Sequence, residues 1–122
     1  MVKVEEEFEL LKDKIQAGSM MKTGLVVLWM ISKRGMHGYE IVKVLNEDFM
    51  VKTATTSRIY PLLSKMTKMN LVKQEKIKNG KRVKKIYSIT PKGKKMLELT
   101  KRYFKYLHNK KIVRDYMEWI MK

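Results

Sequence analysis

The chain has 122 residues, 28 Lys+Arg against 12 Asp+Glu, and no cysteine, for a formal net charge of +16. This length sustains one compact core and excludes catalysis in a cleft between two domains of one chain, while the missing cysteines exclude disulfides, thiolate metal sites and cysteine nucleophiles. The charge exceeds what solubility requires and is unevenly placed: residues 1–17 carry five acids against three lysines, whereas residues 51–95 carry fourteen Lys or Arg against Glu75 alone, the distribution of a protein with a polyanionic partner.

The first expected element is an amphipathic helix over 3–17, where Val4, Phe8, Leu11 and Ile15 are spaced by 4, 3 and 4, with a stop near Gly18. A second helix is expected over 22–34. Its Leu25, Val26, Leu28, Trp29 and Ile31 leave little polar face, which makes it central to the core, with Gly35 as its C-cap. The apolar run 25–31 is far shorter than the roughly 20 residues of a membrane span and lies behind an acidic stretch, unlike a secretory signal. A cytoplasmic protein without a membrane partner is the expectation.

Gly38 precedes a third helix over 39–49, striped by Ile41, Val42, Leu45 and Phe49. A fourth helix over 57–69, capped by Ser57, places Ile59, Leu62, Leu63, Met66 and Met69 on one side. Ser57, Tyr60, Pro61, Ser64, Lys65 and Lys68 fall on the other. Pro61 is then the fourth helical residue, where it forfeits about one backbone hydrogen bond without breaking the helix.

Two β-prone runs, 71–78 and 81–89, flank Asn79-Gly80, the signal for a type I′ hairpin. Strict pairing about that turn sets Val72 opposite Tyr87 and Lys76 opposite Val83. Thr90-Pro91 opens a last helix, Thr90 as N-cap and Pro91 at the first helical position. Read as a single helix to the C-terminus, it carries Met96, Leu99, Tyr103, Tyr106, Val113, Met117 and Ile120 in a 3,4 repeat interrupted at Lys110.

Core helices followed by a short hairpin give a mainly α (α+β) fold: a winged helix-turn-helix with an added N-terminal helix and a long C-terminal dimerisation helix. The expected segments are 1–18, 19–90 and 91–122. In such a fold the last core helix enters the major groove of double-stranded DNA. The contact residues on that helix are then Ser57, Arg58, Tyr60, Pro61, Ser64, Lys65 and Lys68, donors for phosphates or base edges. On the hairpin they are Lys76, Lys78, Lys81, Arg82 and Lys84, within a cluster that also includes Lys73 and Lys85 and repels itself unless an anion is near.

The apolar stripe of the last helix is too large for one small domain to cover, which points to a homodimer. Its interface is expected at Phe8, Leu11, Met96, Leu99, Tyr103, Tyr106, Val113, Met117 and Ile120. Tyr116 and Trp119 offer either a pocket for a small-molecule effector or aromatic packing between subunits. The eleven methionines read as gap-fillers of the core. His37 and His108 lack the spaced partners of a metal site, and no phosphate-binding glycine loop or nucleophile motif is present. No metal or cofactor is expected, and an enzyme is the least supported class. Two other readings stay open: an architectural protein that coats any duplex, and a basic module that docks on an acidic protein.

Four motifs, Met36-His37-Gly38-Tyr39-Glu40-Ile41, Ser57-Arg58-Ile59-Tyr60-Pro61-Leu62-Leu63, Met69-Asn70-Leu71-Val72, and Lys85-Ile86-Tyr87-Ser88-Ile89-Thr90-Pro91-Lys92-Gly93, occur in an order and spacing that resembles the PadR family of winged-helix transcriptional regulators. The resemblance covers about residues 25–100. It implies a repressor-like dimer, Tyr60 and its neighbours at the DNA, the hairpin as wing, and a C-terminal helix joining two subunits with help from the N-terminal helix. The chain departs from the family's pattern at Ser57-Arg58, where a small residue followed by Thr or Ser is usual. Its short C-terminal region resembles the branch of the family that has a single C-terminal dimerisation helix.

Overall fold

A computed structural model describes Glu6 and residues 18–122 of the chain. Apart from Glu6, the expected helix over 3–17, with Phe8 and Leu11, lies outside the described residues. The described elements are α1 (Gly18–Lys33), β1 (Met36–His37), α2 (Gly38–Glu47), α3 (Thr56–Lys68), β2 (Val72–Asn79), β3 (Arg82–Ile89), α4 (Pro91–Leu107) and α5 (Lys111–Ile120). The strands form one antiparallel sheet in the order β1-β3-β2, which makes this a winged helix-turn-helix. No helix among the described residues is long and apolar enough to cross a membrane.

The core joins one face from each element except α5, which buries no residue. Val27, Leu28, Met30 and Ile31 of α1 meet Ile41 and Leu45 of α2, Ile59, Leu63 and Met66 of α3, and Val72, Tyr87 and Met96 beyond them. Fully burying one such aliphatic side chain stabilises the fold by about 1.5–3 kcal/mol. Met30, Met36, Met66 and Met96 are buried, so these four methionines fill the core as expected, whereas Met50 and Met121 are exposed. Trp29 departs from the expected all-round burial of α1. It is 47% exposed, and Lys33 Nζ sits 5.1 Å from its ring centroid, a cation–π contact that suits a half-wet indole.

Several expected boundaries shift for local reasons. Gly18 lies within α1, so the second helix reaches further toward the N-terminus than the expected start at 22. Gly35 is no left-handed C-cap; it lies where a Cβ would come within 3.0 Å of Ile86 Cγ2 and 3.2 Å of Ser88 Oγ. The third helix ends at Glu47 instead of Phe49, because Met50 takes a positive φ of 58° and turns the chain, leaving Phe49 exposed. Two short strands were expected; β1 is a third, too brief for an alternating pattern to reveal it.

The end of α3 is a Schellman cap. Asn70 adopts φ 61°, its N–H donates to the Thr67 carbonyl at 3.0 Å, and Leu71 N–H donates to the Met66 carbonyl at 2.9 Å. Asn tolerates this left-handed conformation better than most residues. The cap delivers the Leu71 carbonyl to the start of α4, where the expected N-cap forms: Thr90 Oγ1 accepts from Gly93 N–H at 2.9 Å and donates toward the Asn70 carbonyl at 2.6 Å, with the Leu71 carbonyl 3.0 Å away. Thr90 N–H bonds that Leu71 carbonyl at 3.1 Å, and Lys92 Nζ donates to the Met69 carbonyl at 2.9 Å.

Gly93 completes this joint. A Cβ there would lie 2.0 Å from the Leu71 carbonyl oxygen, a backbone atom. Gly93→Ala is therefore expected to lower stability by about 3 kcal/mol, read as a drop in the urea midpoint with an unchanged slope. A loss under about 1 kcal/mol would show that the joint yields without harm.

Candidate nucleic-acid interface

The expected recognition helix is capped two residues early. Thr55 is its N-cap, hydrogen-bonded to Ser57 Oγ at 3.0 Å, and Ser57 is already inside the helix. Pro61 consequently sits at the sixth helical position, and the Ser57 carbonyl lacks its usual intrahelical donor. The faces fall as expected. Ile59, Leu63 and Met66 are buried, while Ser57, Arg58, Tyr60, Pro61, Ser64, Lys65 and Lys68 are all exposed.

Tyr60 is placed by a glycine. A Cβ on Gly38, the first residue of α2, would lie 2.7 Å from Tyr60 Cε1 and 2.9 Å from its Oη. The absent side chain lets the phenol end of the ring lie against the start of α2. Tyr60 then forms one wall of a cleft of about 550 Å³, whose other lining comes from His37, Gly38, Tyr39 and Glu40 and from Arg82, Val83, Lys84 and Lys85 of β3. His37 Nδ1 is buried without a hydrogen-bond partner among the described residues.

The α2 end of this cleft is held by an ion pair. Both terminal nitrogens of the Arg34 guanidinium reach Glu40, Nη1 donating to Oε1 at 3.2 Å and Nη2 to Oε2. Glu40 is the third residue of α2, and its carboxylate also draws on the His37 backbone N–H, half of a capping box. The Arg34 hydrogen bond is the main cause that holds the Glu40 carboxyl below the usual glutamate range. Partial desolvation opposes it, and the Arg34 charge and the His37 amide add to it.

The hairpin turn is one residue further along than Asn79-Gly80 suggests. Asn79 pairs with Arg82, so Gly80 and Lys81 are the central residues, and only Gly80 has a positive φ, at 68°. Glycine at the first central position is the II′ pattern; type I′ would need positive φ at both. The register therefore moves by two: Val72 faces Ile89 and Lys76 faces Lys85. A shift of two keeps every side chain on its expected face but changes its partner.

The expected wing residues Lys76, Lys78, Lys81, Arg82 and Lys84 are all exposed. By strand alternation Lys76, Lys78, Val83 and Lys85 share the face that continues through Gln74 and Tyr87 to the buried Val72. Arg82 and Lys84 occupy the opposite face with Asn79 and Ile77. Gln74 Nε2 donates to Tyr87 Oη at 3.0 Å, closing the apolar end of the inner face.

A model of the transcriptional regulator PadR-like family matches residues 27–99, well over half of the chain. The chain belongs to this family. A PadR-like transcriptional regulator of Bacillus cereus is similar over 85% of this chain and 96% of its own, with a TM-score of 0.67 at 26% identity. A protein of Thermoplasma acidophilum is 32% identical, with a TM-score of 0.64 over 79% of this chain and 90% of that one. PadR of Bacillus subtilis, solved in complex with operator DNA, is 28% identical with a TM-score of 0.57, covering 62% of this chain and 44% of that one. Among curated proteins none matches the chain.

In this PadR-like chain the expected single C-terminal helix is two helices. α4 ends at Leu107 and α5 begins at Lys111, where the apolar repeat meets Lys110. His108 Nδ1 lies 2.8 Å from the Phe104 carbonyl and its ring stacks on Phe104 at 5.7 Å, a tightened helix end. The break divides the expected interface residues. Met96 is 4% exposed and belongs to the intrachain core, which removes it from any subunit surface, and Leu99 and Tyr103 pack partly against that core. Tyr106, Met117 and Ile120 are exposed and Val113 is half-buried. Tyr116 and Trp119 have ring centroids 6.2 Å apart and are 54% and 72% exposed, an aromatic pair in the open rather than the lining of an enclosed pocket.

His37, Gly38, Tyr39 and Lys85 line the cleft although none was among the expected contact residues. Gly38 and Tyr39 were visible as a motif, but only the packing of Tyr60 shows what the glycine does. Among the described residues no three His, Cys, Asp or Glu converge as metal ligands.

The Arg34–Glu40 pair has a definite pH signature. A carboxyl whose folded value is depressed adds stability above its unfolded value, and that contribution disappears as pH falls through the folded value. Thermal denaturation of wild type and Glu40→Gln should therefore show a small gap at neutral pH that closes below the ordinary glutamate range. A gap that persists in acid would assign the effect to something other than ionisation.

Proposed function

We propose that the chain is a sequence-specific DNA-binding regulator that represses transcription by occupying a pseudo-palindromic operator as a homodimer. One observation carries this reading: Tyr60, on the exposed polar face of α3, and the wing cations Arg82, Lys84 and Lys85 line the same cleft, and the remaining polar residues of that α3 face are exposed as well. A helix face with hydroxyl and ammonium donors suits the major groove, and a lysine-rich hairpin suits flanking phosphates. The operator complex of the Bacillus subtilis relative supports DNA as the partner. Cytoplasmic location follows from the proposed work on a chromosome.

The second subunit is proposed from α5 and its approach. Ile112, Tyr116, Met117, Trp119 and Ile120 leave this helix largely unburied within one chain, and a contiguous apolar surface of that kind marks an interface. Tyr106, Val113, Tyr116 and Trp119 join Met117 and Ile120 in the proposed contact. A homodimer would present two copies of α3 about one helical turn apart on the duplex.

Selection of bound sequences from random duplexes tests specificity and symmetry together. The expected result is an inverted repeat preferred over random DNA by about 10³ or more; a preference below about tenfold would favour a duplex-coating protein. Sedimentation of the bound form should give two chains per site. Gly38→Ala is expected to push Tyr60 off the start of α2, lowering affinity about tenfold with nearly native thermal stability. Unchanged affinity would remove Tyr60 from the contact.

A further inference from the structure

The observed register makes Lys76 and Lys85 directly opposed neighbours on the inner face of the wing, with Lys78 two residues along the same face. Like charges directly opposite each other destabilise a strand pair. No acid on the hairpin relieves them: its single carboxylate, Glu75, pairs with Ile86 on the outer face and lies 3.8 Å from Lys73 Nζ. The repulsion is therefore built into the wing, and it opens on the cleft that Lys85 lines together with Tyr39 and Tyr60.

Resting on the DNA-binding reading above, we propose that this cleft seats one backbone phosphate of the duplex. Lys85 is the principal charge, and the Tyr39 and Tyr60 hydroxyls are the further donors. The cleft is open and its lining also includes Arg82 and Lys84, while the one carboxylate among the lining residues, Glu40, is paired with Arg34. Tyr60 is held against Gly38, so a phosphate in the cleft sets the position of α3 along the backbone whatever bases lie beneath it. Lys85 is a positioning residue in this scheme: it contributes affinity without contributing sequence preference. The strand pair tolerates the Lys76–Lys85 repulsion in the free protein, and the bound phosphate relieves it.

The test uses the full chain carrying Lys85→Gln, with binding to a selected operator and to a mixed-sequence duplex followed across a salt series. Affinity should fall about tenfold on both duplexes, and the slope of log K against log salt should become shallower by about 0.9, one phosphate's share. The thermal midpoint of the free variant should rise, because the opposed charges are gone. A scan of the operator with single methylphosphonates should find one position whose neutralisation weakens wild type but weakens Lys85→Gln no further. An unchanged salt slope, a loss confined to the operator, or a fall in thermal midpoint would each overturn the proposal. Wild-type protein that retards no duplex at low salt would instead overturn the DNA-binding reading, and this inference with it.

Discussion

The joint between Gly93 and the Leu71 carbonyl fixes the relation among the three parts of the molecule. Leu71 follows the Schellman cap of α3 and precedes β2, while Gly93 lies in the first turn of α4. With a Cβ excluded at Gly93, the backbone of α4 lies directly on the turn that separates helix from wing. Thr90 adds hydrogen bonds at the same point, to Gly93 and toward the Asn70 and Leu71 carbonyls. α3, the β2–β3 hairpin and α4 thus share one corner. Burial of Met96 one turn further along α4 holds that corner to the core.

A second close approach does for the site what the first does for the fold. Gly38 allows the Tyr60 ring to lie on α2, and the Arg34–Glu40 pair ties the start of α2 to the end of α1. One wall of the cleft is therefore set by packing and an ion pair rather than by a free side chain. The opposite wall, the hairpin, carries its cations in a register that is unfavourable alone and favourable beside an anion. A wing of this composition gives up some stability for a charge density that a phosphate backbone can use.

Much of the fold was legible because its signals are local. The 3,4 spacing of Ile59, Leu62, Leu63 and Met66 separated the faces of α3, and Thr90-Pro91 marked a helix start that the structure reproduces. The errors arose where a local signal had two solutions. Asn79-Gly80 fits a I′ turn, yet the chain places Gly80-Lys81 at the centre, and the strand pairing that decides this spans sixteen residues. The apolar repeat after Pro91 reads as one helix, but nothing in a periodicity tells whether Met96 faces its own core or a partner.

Periodicity and composition over a few turns were enough for the core helices, the hairpin, the segment that carries the charge and the face of α3 that meets solvent, but not for β1 or the break before α5. Tertiary structure decided the partners. It set Lys85 against Lys76, Tyr60 against Gly38 and Gly93 against Leu71, and it divided the last helix into a buried half and an exposed one. Each of these depends on which backbones approach within a few ångströms, a relation among distant residues that no local pattern encodes.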